Sequence, residues 1–262
     1  MDTAPVKLGR YEITSSISDK SVFFGVNSST SAPVVIKTSG YNSDGSRVPN
    51  YFVAHEFRIM NRLDHPFVPK ALELFHEDGI AYFAMPHYGS RTLGDLHLRR
   101  ESNIVRRALV QVGSALGHAH KNKVLHRDVK PFNIIANGTS MLIDWGQSCT
   151  ADDPHYLSQV LGKGTTGFRS PEEEESEPPT TAQDVFSFSA TFYWALTGRI
   201  PFDKTGTKTA FNRPRHTQKD LVPYHTLGEL IGAGLSYDAE NRPSMKDIVE
   251  QAEREFGLES RL

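Results

Sequence analysis

What most constrains the fold of this 262-residue chain is a change in hydrophobic period, from short β-type runs in the first third to long helical stretches after about Leu93. Residues 11–17 and 21–26 read as strands, and residues 33–37 (PVVIK) form a continuous apolar strand ending on a cation. Phe52, Glu56, Met60 and Leu63 recur at helical steps, which puts one acid on the same face as three apolar side chains. Residues 72–75 and 80–85 make a further strand pair around the turn-like HEDG. Helices are predicted over 104–121, 182–196, 224–235 and 245–256, with two short strands, 133–136 and 140–143, around Gly138. Strands first and helices later predict an α+β, bilobal architecture with a small β-rich N-lobe and a larger helical C-lobe. The expected division is one domain over 1–262, with an N-lobe at 1–85, a hinge at 86–90 and a C-lobe at 91–262, and a ligand site in the cleft between lobes.

Charge and cysteine content narrow the function classes. Formal net charge is -2, with Lys+Arg 29 against Asp+Glu 31, so no global field draws the chain to nucleic acid or to an anionic membrane. The single Cys149 excludes an intramolecular disulfide framework and a Cys-rich zinc site, and reads as an inert thiol. The first residues, MDTAPVKLGR, lack the apolar core of a signal peptide, and no apolar run reaches the roughly 18 residues of a membrane span. The expectation is an intracellular, soluble protein without membrane insertion.

The chemistry is concentrated in His126-Arg127-Asp128-Val129-Lys130-Pro131-Phe132-Asn133, followed eleven residues after Asn133 by Asp144-Trp145-Gly146. Phosphoryl transfer needs a carboxylate at the attacking hydroxyl and oxygen ligands for magnesium, and both residue types are here. The stretch resembles the catalytic loop and D-F-G metal motif of eukaryotic-type Ser/Thr protein kinases, with Trp145 in place of phenylalanine. The resemblance implies Mg-ATP (ATP and Mg2+) as cofactor and a protein as substrate. It implies Asp128 as acceptor of the substrate hydroxyl proton, Asn133 and Asp144 as Mg2+ ligands, and Lys130 as the cation at the transferring phosphate. Residues 164–172 (GTTGFRSPE) look like the substrate loop of the same family, where Thr165 matches the threonine that hydrogen-bonds the catalytic Asp and Lys. Arg242 is the expected structural partner of Glu172, and Asp184 the residue that steadies the catalytic-loop backbone.

In the first lobe, residues 34–37 (VVIK) resemble V-A-I-K, whose lysine binds the α- and β-phosphates. Lys37 is then expected to pair with Glu56. Val35 stands above the adenine ring, Met85 lines the back of the pocket, and Val22 closes the phosphate loop. That loop departs from the family: residues 15–22 (SSISDKSV) hold none of its glycines. Glycine there lets backbone N–H groups approach phosphate without a Cβ in the way. Asp19 adds repulsion and Lys20 a compensating cation, so weakened ATP binding is expected.

Three functions stay open on the sequence: a Ser/Thr protein kinase, a pseudokinase acting as scaffold or regulator, and a small-molecule phosphotransferase, the last weakened by Lys130, Thr165 and Arg242. The acidic run 172–177 reads as a solvated surface, with selection of basic substrate residues as the alternative. Phe186, Phe188, Phe192, Tyr193 and Trp194 read as core, and His126 as packing near Trp145. Arg127 is the family's mark of control by loop phosphorylation, with Thr150, Tyr156 and Ser158 as candidate sites.

Overall fold

The computed structural model describes residues 7–16, 21–39, 49–96, 103–150, 164–202, 221 and 225–258. They form two compact units, one built from 1–64 with 69–88 and the other from 65–68 with 89–262. The second unit thus recruits a short piece of the first part of the chain, because Leu142 donates its backbone N–H to Phe67 O (3.1 Å) and His65 Nε2 lies 3.2 Å from Ser114 Oγ. Residues 86–88 stay with the first unit.

The first unit is an antiparallel sheet of β1 (Lys7–Leu8), β2 (Tyr11–Ser16), β3 (Val22–Asn27), β4 (Pro33–Thr38), β5 (Glu73–Glu77) and β6 (Ile80–Pro86), in the order β1-β2-β3-β4-β6-β5. Alternation decides the faces: Val34 and Ile36 of β4 join Tyr11, Tyr82 and Ala84 in one buried cluster, with Phe23 and Phe75 against it. Val35 and Lys37 therefore point to the opposite face, where β4 pairs Val35 with Met85 and Lys37 with Phe83. Helix α1 (Asn50–Arg62) packs on β4 and β6 and buries Val53, Glu56, Ile59 and Met60. The HEDG turn between β5 and β6 has Asp78 at φ 50° and Gly79 at φ 75°, the left-handed pair that suits a tight hairpin. Leu72, read above as the start of a strand, lies outside β5 and is 49% exposed.

The second unit is organised around α2 (Asn103–Lys121), followed by β7 (Val124–Leu125), the hairpin β8 (Ile134–Asn137) and β9 (Thr139–Leu142), and β10 (Cys149–Thr150). Then come the short α3 (Pro171–Glu174), α4 (Thr181–Thr197), α5 (His225–Gly234) and α6 (Met245–Phe256). Helix α4 is apolar around its circumference and correspondingly buried: Phe186, Phe188, Phe192 and Tyr193 are all inaccessible, while Trp194 is half-buried. It ends at Gly198, whose left-handed φ of 73° closes the helix. Gly113 lets α2 approach α6, since a Cβ there would stand 2.6 Å from Val249 Cγ2. A Ser244/Asp247 capping box starts α6. No described helix is long and apolar enough to cross a membrane.

Candidate active site

The loop between β7 and β8 carries the strongest sequence signal, and its backbone is held by one buried carboxylate. Asp184, in the first turn of α4, accepts the N–H of His126 on Oδ2 and the N–H of Arg127 on Oδ1, each at 2.8 Å. His120 Nε2 bonds the same Oδ2 at 2.9 Å. Burial alone pushes the Asp184 carboxyl up, but the hydrogen bond from His120 and the Arg127 N–H hold it below the usual aspartate range. With these anchors Arg127 adopts a left-handed φ of 67°, which turns the chain sharply just before Asp128.

His126 is fully buried and packs edge-on against Trp145, ring centres 4.6 Å apart. Its Nδ1 accepts the N–H of Asp128 (3.2 Å), so Nε2 carries the proton and donates it to Ile143 O (3.1 Å). Burial depresses its basicity against the pull of Asp184, Asp128 and Asp144, which keeps the imidazole neutral and structural. Trp145 fills the phenylalanine place of the motif as a wholly buried ring whose Nε1–H finds Leu142 O at 2.9 Å.

Asp128 is the centre of the polar network. Oδ2 accepts Lys130 Nζ at 2.6 Å and Asn133 Nδ2 at 3.0 Å, and Oδ1 accepts the Thr165 hydroxyl at 2.8 Å. Lys130 Nζ also reaches Thr165 Oγ1 at 2.8 Å, closing a triangle of carboxylate, ammonium and hydroxyl. Asp128 is 5% exposed and already accepts a hydroxyl proton at hydrogen-bond distance, the geometry asked of a general base. Asn133 spends both its donors on Asp128, the second on the backbone carbonyl at 2.8 Å, which leaves its amide oxygen as the lone-pair end. Ile143 N–H bonds Asn133 O at 2.9 Å, so the β8–β9 hairpin delivers half-buried Asp144 next to Asn133, at a left-handed φ of 65°. One amide oxygen and one carboxylate suit a hard divalent cation whose remaining ligands are phosphate oxygens and water. Among the described residues no cluster of three or more His, Cys, Asp or Glu forms a self-sufficient metal cage.

In the first unit, Lys37 Nζ meets both oxygens of Glu56, at 2.7 and 3.0 Å, with the glutamate side chain 8% exposed. This is the partner that the acid on the apolar face of α1 calls for. Val22 opens β3 opposite Lys37, and Val35 is buried beside the half-buried Met85. Lys20, with residues 17–19, lies outside the described residues, as do Tyr156 and Ser158; Thr150 is buried in β10.

Only part of the acidic run is a solvated surface: residues 175–177 are exposed, and those before them are not. Glu172 pairs with Arg242, Glu174 with Arg169 (3.2 Å), and Glu175 accepts the Tyr237 hydroxyl (3.1 Å), while Glu173 is buried. Two participants escaped the sequence reading. His120 belongs to no motif, and Glu173 is hidden among equal neighbours, so only packing distinguishes them. A cavity of about 960 Å³ in the second unit, lined by His65, His118 and Lys121 among others, touches neither Asp128 nor Asp144.

Comparison with known proteins takes in the whole of this geometry. The protein kinase domain model matches residues 18–252. The serine/threonine-protein kinase PrkC of Bacillus subtilis is 31% identical over 157 residues, 56% of this chain and 24% of that protein. Aurora kinase B of Drosophila melanogaster is 28% identical over 226 residues, 80% of this chain and 68% of its own. The serine/threonine-protein kinase PknK of Mycobacterium tuberculosis is 31% identical over 191 residues, 70% of this chain and 17% of its own. The chain thus spans between 17% and 68% of the length of these relatives. Since the match extends from before β3 into α6, a span that contains Lys37, Glu56, Asp128, Asn133, Asp144 and Arg242, the chain belongs to the protein kinase domain family.

Proposed function

We propose that this chain is a serine/threonine protein kinase that transfers the γ-phosphate of Mg-ATP to a hydroxyl of a protein substrate. The observation that carries the reading is the closed contact of Asp128, Lys130 and Thr165, a buried base with a hydroxyl already on one oxygen and an ammonium on the other. In this reading Asp128 takes the proton of the attacking hydroxyl, and Lys130 meets the charge of the transferring phosphoryl group. Asn133 and Asp144 supply oxygen ligands to Mg2+. Lys37, oriented by Glu56, holds the α- and β-phosphates, and Val22, Val35 and Met85 enclose the base. Bound Mg-ATP supplies the phosphoryl group and neutralises its charge; the protein contributes position and electrostatics, which is most of what this reaction requires. Lys130 and Thr165 support a Ser/Thr rather than a Tyr acceptor.

A second reading, a pseudokinase that scaffolds or regulates, is favoured by one observation: residues 15–22 contain no glycine. With β2 ending at Ser16 and β3 starting at Val22, five residues join the strands, and each carries a side chain where phosphates approach an open backbone best. We expect weaker ATP binding with transfer retained. Transfer of labelled phosphate from ATP to a generic basic protein, against Asp128→Asn as control, decides between the readings. Equal signal from the two proteins, or none from either, overturns catalysis, and a thermal shift with Mg-ATP then separates a nucleotide-binding scaffold from an empty one.

A further inference from the structure

Glu173 is a carboxylate that the proposed phosphotransfer chemistry does not use. It is 4% exposed, and its Oε1 has no hydrogen-bond partner among the described residues. A carboxylate withdrawn from water without full compensation destabilises a fold, so what it faces matters.

On one side it faces the backbone of Gly164, which favours its charged form. A Cβ built on Gly164 would stand 2.4 Å from Oε1 and 3.0 Å from Cδ, so the carboxylate lies directly against that backbone and only glycine leaves room for it. The next residue is Thr165, whose hydroxyl bonds both Asp128 and Lys130. On the other side lies the field of Arg127, itself 4% exposed and the immediate neighbour of Asp128. The remaining charged groups that act on it are Asp184 from α4, which repels it, and Arg169 from the segment before α3, which attracts it. Its own neighbours are engaged elsewhere, Glu172 with Arg242 and Glu174 with Arg169. Burial outweighs the two cations and pushes the carboxyl up to about 7.

We propose that Glu173 is a positioning residue for phosphoryl transfer: a built-in anion that joins the buried Arg127 of the catalytic loop to the backbone of Gly164 and thereby fixes Thr165 against Asp128. The tie rests on the burial of Glu173 against the Gly164 backbone and on the attraction of Arg127, and its catalytic consequence rests on the phosphotransfer reading. In the ionised form the carboxylate attracts Arg127 and holds the Gly164 backbone that lies against it. Protonation removes the attraction and slackens the segment that carries Thr165.

The test compares the wild-type chain with Glu173→Gln, which keeps the size and one acceptor oxygen and removes the charge. Amide exchange at Gly164 and Thr165, corrected for intrinsic rates, is measured without nucleotide at about pH 6 and pH 8, on either side of the Glu173 transition near 7. The rate constant and KM for ATP are measured at the same pH values. The expected result is protection that rises with pH in the wild type and stays flat in the variant, with kcat at the higher pH lowered about tenfold by the substitution and KM for ATP nearly unchanged. The rising limb of kcat near pH 7 should vanish in the variant. Equal protection in both proteins at both pH values overturns the tie. Protection that differs while kcat and its pH profile do not overturns the positioning role and leaves Glu173 a structural residue. Protection that differs with no transfer from either protein supports the tie and counts against the phosphotransfer reading itself.

Discussion

Thr165 donates its hydroxyl to Asp128 Oδ1 at 2.8 Å across thirty-seven residues of chain, so the segment 164–172 and the loop 126–133 meet at one carboxylate oxygen. Removing that hydroxyl while keeping the shape, as in Thr165→Val, leaves Asp128 with Lys130 and Asn133 but without the contact that registers the loop. We expect kcat to fall about tenfold to a hundredfold with nucleotide affinity unchanged, whereas Asp128→Asn, which removes the base itself, should cost at least about a thousandfold. Phosphate transfer and nucleotide titration on the two variants check the order of the effects.

Arg242 makes the most demanding contact in the second unit. Its five N–H donors are all placed, on Glu172 Oε1 (2.8 Å) and Oε2 (2.9 Å) and on the carbonyls of Ala182 (2.9 Å), Ser236 (2.9 Å) and Tyr237 (3.0 Å). Lysine retains the charge but has three donors at a point, not five in a fork. Arg242→Lys should therefore destabilise nearly as much as Arg242→Ala, by about 3–5 kcal/mol, because each leaves Glu172 and buried carbonyls short of partners. Urea unfolding of both variants measures this, and a lysine variant close to wild type would show that charge alone suffices.

Strands β2, β3, β4 and β6 were legible to within a residue or two because each is bounded by turn residues and carries either alternation or an unbroken apolar run. The pairing of β7 with β10 was not, since two-residue strands such as Val124–Leu125 and Cys149–Thr150 show no period and find each other only through tertiary packing. The same limit applies to the site. Lys37 with Glu56, Glu172 with Arg242 and Asp184 with the backbone of residues 126–127 are what the family resemblance implies, Glu56 being marked also by its place on an apolar helix face, and each pair is in contact within its own unit. Nothing in the run EEEE separates the buried Glu173 from its salt-bridged neighbours, and His120 gains its role only because α2 lies against α4.

Asp184→Asn should be costly although the two side chains have the same shape. The carboxylate receives two backbone N–H bonds and His120, and an amide NH2 turned toward either oxygen position meets a donor instead of an acceptor. We expect a loss of about 2–4 kcal/mol at neutral pH. The folded carboxyl sits below the ordinary aspartate value, so its stabilisation is present above that value and fades as pH falls through the folded one. The gap between wild type and variant should accordingly close in acid, as read by unfolding across pH.

Glu173 has the opposite sign. Its carboxyl is raised from 4.5 to about 7 in the folded protein, chiefly by burial, so the folded state holds its proton more tightly than the unfolded chain does. The stabilisation from that proton is complete below 4.5 and is lost as pH rises through about 7. A difference of this size corresponds to about 3 kcal/mol, the cost of keeping a charged carboxylate buried under alkaline conditions. Glu173→Gln cannot ionise. The stability of the wild type relative to this variant should therefore fall by about 3 kcal/mol between roughly pH 4 and pH 8, a trend that Asp184, common to both proteins, does not affect. Paired urea unfolding curves across that range make the measurement, and a flat difference would mean that water or a further cation satisfies the carboxylate. The tie to Arg127 and Gly164 would then hold an ordinary surface-like glutamate, not a buried anion kept at the expense of stability because the catalytic loop requires it.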